Sequence, residues 1–96
     1  MSNIIHSLIK VARQLDEEGH VLSWFIFGSY LHLEKQAKDL DVLILYRLEQ
    51  SPAIVRTSLN KISIHHPLDL IFMTDDEERE FDFINQQEAK KLYLFS

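Results

Sequence analysis

The run Leu40-Asp41-Val42-Leu43-Ile44-Leu45-Tyr46 constrains the fold of this chain more than any other stretch. Seven residues suit a strand and are short for a helix, and six of these seven are apolar or aromatic. Successive side chains of a strand point to opposite faces, so an apolar residue at nearly every position needs cover on both faces. Two further runs read the same way. Val21 to Phe27 is interrupted only by Ser23 and ends at Gly28, and Leu68 to Met73 is opened by Pro67 and interrupted only by Asp69. Trp24, Phe25 and Phe27 are then expected in the core and not on a platform for stacking bases.

Helical patterns separate these runs. Ile4, Ile5, Leu8, Ile9, Ala12 and Leu15 recur at helical spacing, and Gly19 stands where a left-handed C-terminal cap is needed. Ser29 to about Lys38 reads as a short helix or helical turn. Ser51-Pro52 signals a helix start, with Ser51 as cap and Ile54, Val55, Leu59 and Ile62 as the buried stripe. Thr74 and Glu77 have the spacing of a capping box for a last helix, which carries Phe81 and Ile84 inward and Lys90 and Lys91 at its end. Alternating strands and helices predict an α/β (α+β) domain, a small three- to four-stranded mixed sheet with helices packed on it. The apolar tail Leu92-Tyr93-Leu94-Phe95-Ser96 closes the chain, and either the edge of the core or another protein accounts for it.

Composition narrows the function. Ninety-six residues, 46% of them hydrophobic, fit one compact domain with no second core. Ten Lys and Arg against 15 Asp and Glu give a formal charge of −5, which argues against nucleic acid as the main partner. No cysteine is present, so a thiolate nucleophile, a disulfide framework and Cys-ligated zinc are all excluded, and a cytoplasmic setting fits. Neither a signal-peptide pattern nor a membrane span is expected, because His6, Ser7 and Lys10 interrupt the first apolar residues and no apolar run is long enough.

The chemistry centres on Gly28-Ser29 and Asp39-Leu40-Asp41. Residues two apart on a strand share a face, which sets Asp39 and Asp41 side by side, and a divalent cation offsets the repulsion that follows. Gly28 allows a phosphate to approach the backbone closely and Ser29 adds a hydroxyl donor, at a turn that leads from a strand into a helix. Asp69 is a third carboxylate, isolated in an apolar strand. Lys35 and Lys38 are candidate phosphate contacts whose ordinary role is a solvated surface, and the same holds for His32. His65 and His66 are adjacent on an extended stretch, point apart, and make poor joint metal ligands.

Phe27-Gly28-Ser29 followed, after nine residues, by Asp39-Leu40-Asp41-Val42 resembles the signature of the DNA polymerase β nucleotidyltransferase superfamily, and the short chain resembles its minimal nucleotidyltransferase branch. The resemblance runs from the first strand to the third and implies a single nucleotidyltransferase-like domain over residues 1–96. It implies that Asp39, Asp41 and Asp69 hold two magnesium ions, that Gly28 and Ser29 hold the phosphates of ATP or another nucleoside triphosphate, and that Asp69 orients or deprotonates the nucleophile. The implied reaction moves a nucleoside monophosphate to an acceptor hydroxyl and releases pyrophosphate. The implied role is the antitoxin of a HEPN/MNT-type toxin–antitoxin pair, which modifies its ribonuclease partner with AMP. The chain departs from the family pattern at Tyr30-Leu31-His32, where many members carry a small residue, Arg and Gly. The alternative is a module of the same fold that neutralises its partner by binding alone; hydrolysis of nucleotides is a third reading. A homo-oligomer is compatible with any of them.

Overall fold

The computed structural model describes residues 3–31 and 39–95. Helix α1 spans Asn3–Glu17, and strand β1, Ser23–Phe27, runs directly into a 3-10 turn over Gly28–Leu31. Strand β2 is Leu40–Tyr46, followed by helices α2, Ser51–Ser58, and α3, Asn60–His65. Strand β3 is Leu68–Thr74, helices α4 and α5 are Asp75–Phe81 and Phe83–Gln86, and the two-residue strand β4, Lys90–Lys91, leads into a 3-10 turn over Leu92–Phe95. The four strands form one mixed sheet in the order β3-β2-β1-β4. β1 is antiparallel to both of its neighbours, whereas β2 and β3 are parallel. This is the small α+β domain that the alternating pattern predicts.

β2 is central and covered on both faces, as its composition requires. Leu40, Val42 and Ile44 join Trp24 and Ile26 in a core under α1, to which Val55 and Leu59 also belong. Leu43 turns the other way, into a smaller core with Phe25 and Phe27 that Phe83 and Ile84 close. Ile5 and Leu8 on α1 are fully buried, and each such side chain stabilises the fold by about 1.5–3 kcal/mol. Gly19, at φ +93°, ends α1: its N–H donates to the Asp16 carbonyl and the His20 N–H to that of Leu15, the two bonds of a Schellman cap.

Several local expectations are corrected. Val21 is 58% exposed and β1 starts only at Ser23, so the first two residues of that apolar run lie outside the ladder. Ser51 is not the cap of α2 but its first residue, buried, and Gln50 holds the cap position without a side-chain bond. The helix expected from Ser51 to Ile62 is two helices meeting at Leu59. The capping box is present, with Thr74 Oγ1 accepting from the Glu77 N–H and Glu77 Oε1 from the Thr74 N–H. The helix it starts stops early, because Asp82 takes the left-handed conformation. That turn leaves Phe81 exposed and brings Phe83 to the core beside Ile84. Lys90 and Lys91 belong to β4, not to a helix end. The helical turn after Ser29 is a 3-10 turn over Gly28–Leu31, and its expected continuation, with His32, Lys35 and Lys38, lies outside the described residues. Among the described residues, no helix is long and apolar enough to cross a membrane.

Candidate active site

The end of β1 and the starts of β2 and β3 meet at one edge of the sheet, and three of the residues singled out in the sequence meet there. Phe27 pairs with Asp41 across the antiparallel ladder, and Asp41 pairs with Asp69 across the parallel one. Paired residues in register share a face, so Asp41 and Asp69 are direct neighbours on the face that also carries Phe27 and Leu43. Asp39 does not sit in the strand as expected: it lies in the bend just before Leu40 and is exposed.

Gly28 completes the arrangement. Its φ of +78° is in the left-handed region, and a Cβ built on it would overlap Asp41 Oδ2 and stand 3.0 Å from Asp41 Cγ. The absence of a side chain at residue 28 therefore makes the room in which the Asp41 carboxylate rests. Ser29 follows in the 3-10 turn and is exposed beside it. Tyr30 then turns inward, buried, with its ring 6.5 Å from that of Phe95, and Leu31 packs against the larger core.

Among the described residues, the charges that act on Asp41 are those of other carboxylates. The Asp41 carboxyl is held above its usual value of 3.8, first by burial, then by the charge of Asp69 and a hydrogen bond with it, and then by the charge of Asp39. Two carboxyls that share a proton are a familiar response to crowding of like charge, and a cation relieves the same crowding. Among the described residues, no three His, Cys, Asp or Glu side chains converge as a ready-made metal cage. The donors that do gather are carboxylate oxygens only, which suits a hard ion such as magnesium. Magnesium commonly takes one or two carboxylates and completes its shell with substrate phosphates and water. The donor set and the Gly28 cradle fit such an ion.

The sequence did not point to the support beneath this corner. The Phe83 ring stands edge-on to Phe27 at 4.9 Å and 88°, which braces the strand residue that pairs with Asp41. Its role depends on the left-handed turn at Asp82, for which the sequence offers only a weak signal, an Asp that tolerates that conformation. His65 is the last residue of α3 and not on an extended stretch as expected, His66 caps that helix in an extended conformation, and both are exposed. No family model, no curated protein and no solved structure matches this chain.

Proposed function

We propose that this chain is a minimal nucleotidyltransferase that moves AMP from ATP to an acceptor hydroxyl on a protein partner. The observation that carries the reading is the meeting of Asp41, Asp69 and the side-chain-free Gly28 at the junction of three strands. Asp39 and Asp41 would hold magnesium, with Asp69 contributing a further oxygen. Two such ions, when bound, neutralise the triphosphate and acidify the attacking hydroxyl.

The chain's own residues do the rest. Gly28 leaves space for the Asp41 carboxylate, and the exposed Ser29 offers its hydroxyl as a donor to a phosphate oxygen. Asp69 is exposed next to Asp41, where it accepts a hydrogen bond from the incoming hydroxyl and takes its proton. The acceptor oxygen bonds to the α-phosphorus as the bond to the bridging oxygen breaks, and pyrophosphate leaves.

The cellular role we propose is that of an antitoxin in the cytoplasm, acting on a HEPN-type ribonuclease. The acidic balance of the chain suits docking to a basic partner, and Tyr93 and Leu94, 45% and 72% exposed, offer apolar contact. A second reading, neutralisation by binding alone, is favoured by Leu31. It stands where many family members carry the phosphate-side Arg, and it packs into the core.

Co-expression with the neighbouring gene product, followed by intact-mass spectrometry of that product, separates the two. The enzymatic reading expects a gain of one AMP that disappears with Asp39→Asn/Asp41→Asn. Neutralisation without any mass gain, or a gain that survives the double substitution, would overturn it.

A further inference from the structure

The run Leu92-Tyr93-Leu94-Phe95 has two faces. In a 3-10 turn residues three apart lie on one side, which groups Leu92 with Phe95 and leaves Tyr93 and Leu94 outside that row. Leu92 is fully buried and Phe95 packs, partly buried, against the larger core, whereas Tyr93 and Leu94 are exposed. Two further contacts fix the turn in place. β4, immediately before it, pairs with β1, and the Arg13 guanidinium of α1 lies over the Tyr93 ring at 5.9 Å, a cation–π contact. The inward half of the run thus has a set position, and there the Phe95 ring meets that of Tyr30.

Tyr30 belongs to the 3-10 turn over Gly28–Leu31, which carries the candidate phosphate contacts. Within that turn Gly28 has no side chain and Ser29 is exposed, so neither anchors the backbone by packing. Tyr30, 8% exposed, is the first residue that does, and Leu31 follows it partly buried. The Tyr30 and Phe95 rings stand 6.5 Å apart at 69°, an edge-on pair. Successive residues of a 3-10 turn are rotated by about 120°, so a tilt of Tyr30 swings Ser29 with it. At Gly28 the same turn meets the Asp41 carboxylate with no room for a side chain. Asp41 and Asp69 themselves are set by the register of β1, β2 and β3, in which Phe95 has no part.

We infer that Phe95 is a positioning residue for the Gly28–Ser29 turn: through the Tyr30 ring it sets the direction in which the Ser29 hydroxyl faces a phosphate. This rests on the reading that the turn receives a triphosphate. It divides the site into a carboxylate half held by strand register and a phosphate half held by the C-terminal turn. The apolar run then has an inward role in Leu92 and Phe95, separate from whatever Tyr93 and Leu94 contact outside.

Three variants test the division. Phe95→Leu keeps an apolar side chain and removes the ring, Phe95→Tyr keeps the ring, and Val55→Ala on α2 removes volume from the same core without a place in either turn. Backbone ¹³C resonances of Gly28 and Ser29 in the cation-free protein report the torsion angles of the turn, and calorimetry with Mn²⁺ alone and with MgATP reports the two halves of the site. Phe95→Leu is expected to shift the Gly28 and Ser29 resonances and to weaken MgATP by about tenfold, as loss of one hydrogen bond to a charged phosphate does, with Mn²⁺ affinity at the parent value. Phe95→Tyr is expected to restore both, and Val55→Ala to change neither. Resonances that stay in place in Phe95→Leu, or that move as far in Val55→Ala, overturn the inference. Equal weakening of Mn²⁺ and MgATP in Phe95→Leu also overturns it, since that marks a general loss of structure. A parent protein that binds neither probe overturns the nucleotidyltransferase reading instead, and the Gly28 and Ser29 resonances still decide whether Phe95 positions the turn.

Discussion

Gly28→Ala tests the site at its tightest point, and Gly19→Ala supplies the control. Both glycines have positive φ, +78° and +93°, so an alanine at either carries a backbone cost of about 1–2 kcal/mol. In a domain of this size each kcal/mol lowers the melting temperature by about 4–8 °C. The two positions differ in what a side chain would meet. A Cβ at residue 19 has nothing within 4 Å, whereas one at residue 28 overlaps Asp41 Oδ2 and lies 3.0 Å from Cγ. The overlap with Oδ2 is the tighter of the two, so the Asp41 carboxyl must retreat by about 1 Å to reach ordinary contact. A displacement of that order at a reacting centre lowers activity by about 100-fold. Thermal melts should therefore show both variants destabilised, and calorimetry with Mn²⁺ should show binding kept by Gly19→Ala and strongly weakened in Gly28→Ala. If Gly28→Ala melts no lower than Gly19→Ala and binds Mn²⁺ as the parent does, residue 28 does not cradle Asp41 and the reasoning fails.

Asp41→Asn should stabilise the cation-free protein at neutral pH. The protonated form of a carboxyl with a raised folded-state pKa gives its full stabilisation below 3.8 and loses it as the pH rises through the folded-state value, so charged Asp41 weakens the fold near neutrality. Melts should accordingly show the Asn variant ahead at neutral pH, the gap closing toward pH 3.8 or on addition of Mg²⁺; a variant less stable than the parent at neutral pH contradicts this. Thr74→Ala removes the capping box and should cost about 0.5–2 kcal/mol in urea unfolding, with the β3 backbone intact. Leu92→Ala should cost about 2–5 kcal/mol, since Leu92 is fully buried. Leu94→Ala, at 72% exposure, should leave stability unchanged and instead weaken partner capture if the tail docks as proposed.

The features legible in the sequence are those in which one physical demand dominates. Both ends of β2 are legible because a strand covered on two faces tolerates few polar residues, and its neighbours Asp39 and Arg47 are charged. The Gly19 cap and the Thr74–Glu77 box are legible because each is a local bonding pattern fixed by a few residues. Phe81 and Phe83 are different. Which of the two faces inward depends on whether the helix continues through Asp82, and the left-handed turn there is accompanied both by local bonds, Ile84 N–H to Glu78 Oε2 and Asn85 Nδ2 to Asp82 Oδ1, and by the packing of Phe83 on Phe27. The pairing of Lys90–Lys91 with β1 is likewise a long-range event that no local pattern encodes. In the site, spacing alone sets Asp41 on a strand and Asp69 on another. Their adjacency depends on the parallel register of β2 and β3, and the tight fit of Gly28 against Asp41 on the antiparallel register of β1 and β2.

The two kinds of pairing that meet at Asp41 also close loops of different length. The antiparallel pair β1–β2 closes over the 12 residues 28–39, fewer than separate β2 from β3, and it brings Gly28 to Asp41. The parallel pair must wait for residues 47–67 to wind through α2 and α3, and pairings that close longer loops form more slowly. On loop length alone, Asp69 is expected to join last. A cation that binds both carboxylates has no complete site on a chain that has formed only its hairpin, and by mass action it draws half-folded molecules toward the finished sheet. If magnesium is the ion, as proposed, its concentration would bear on folding as well as on the proposed chemistry.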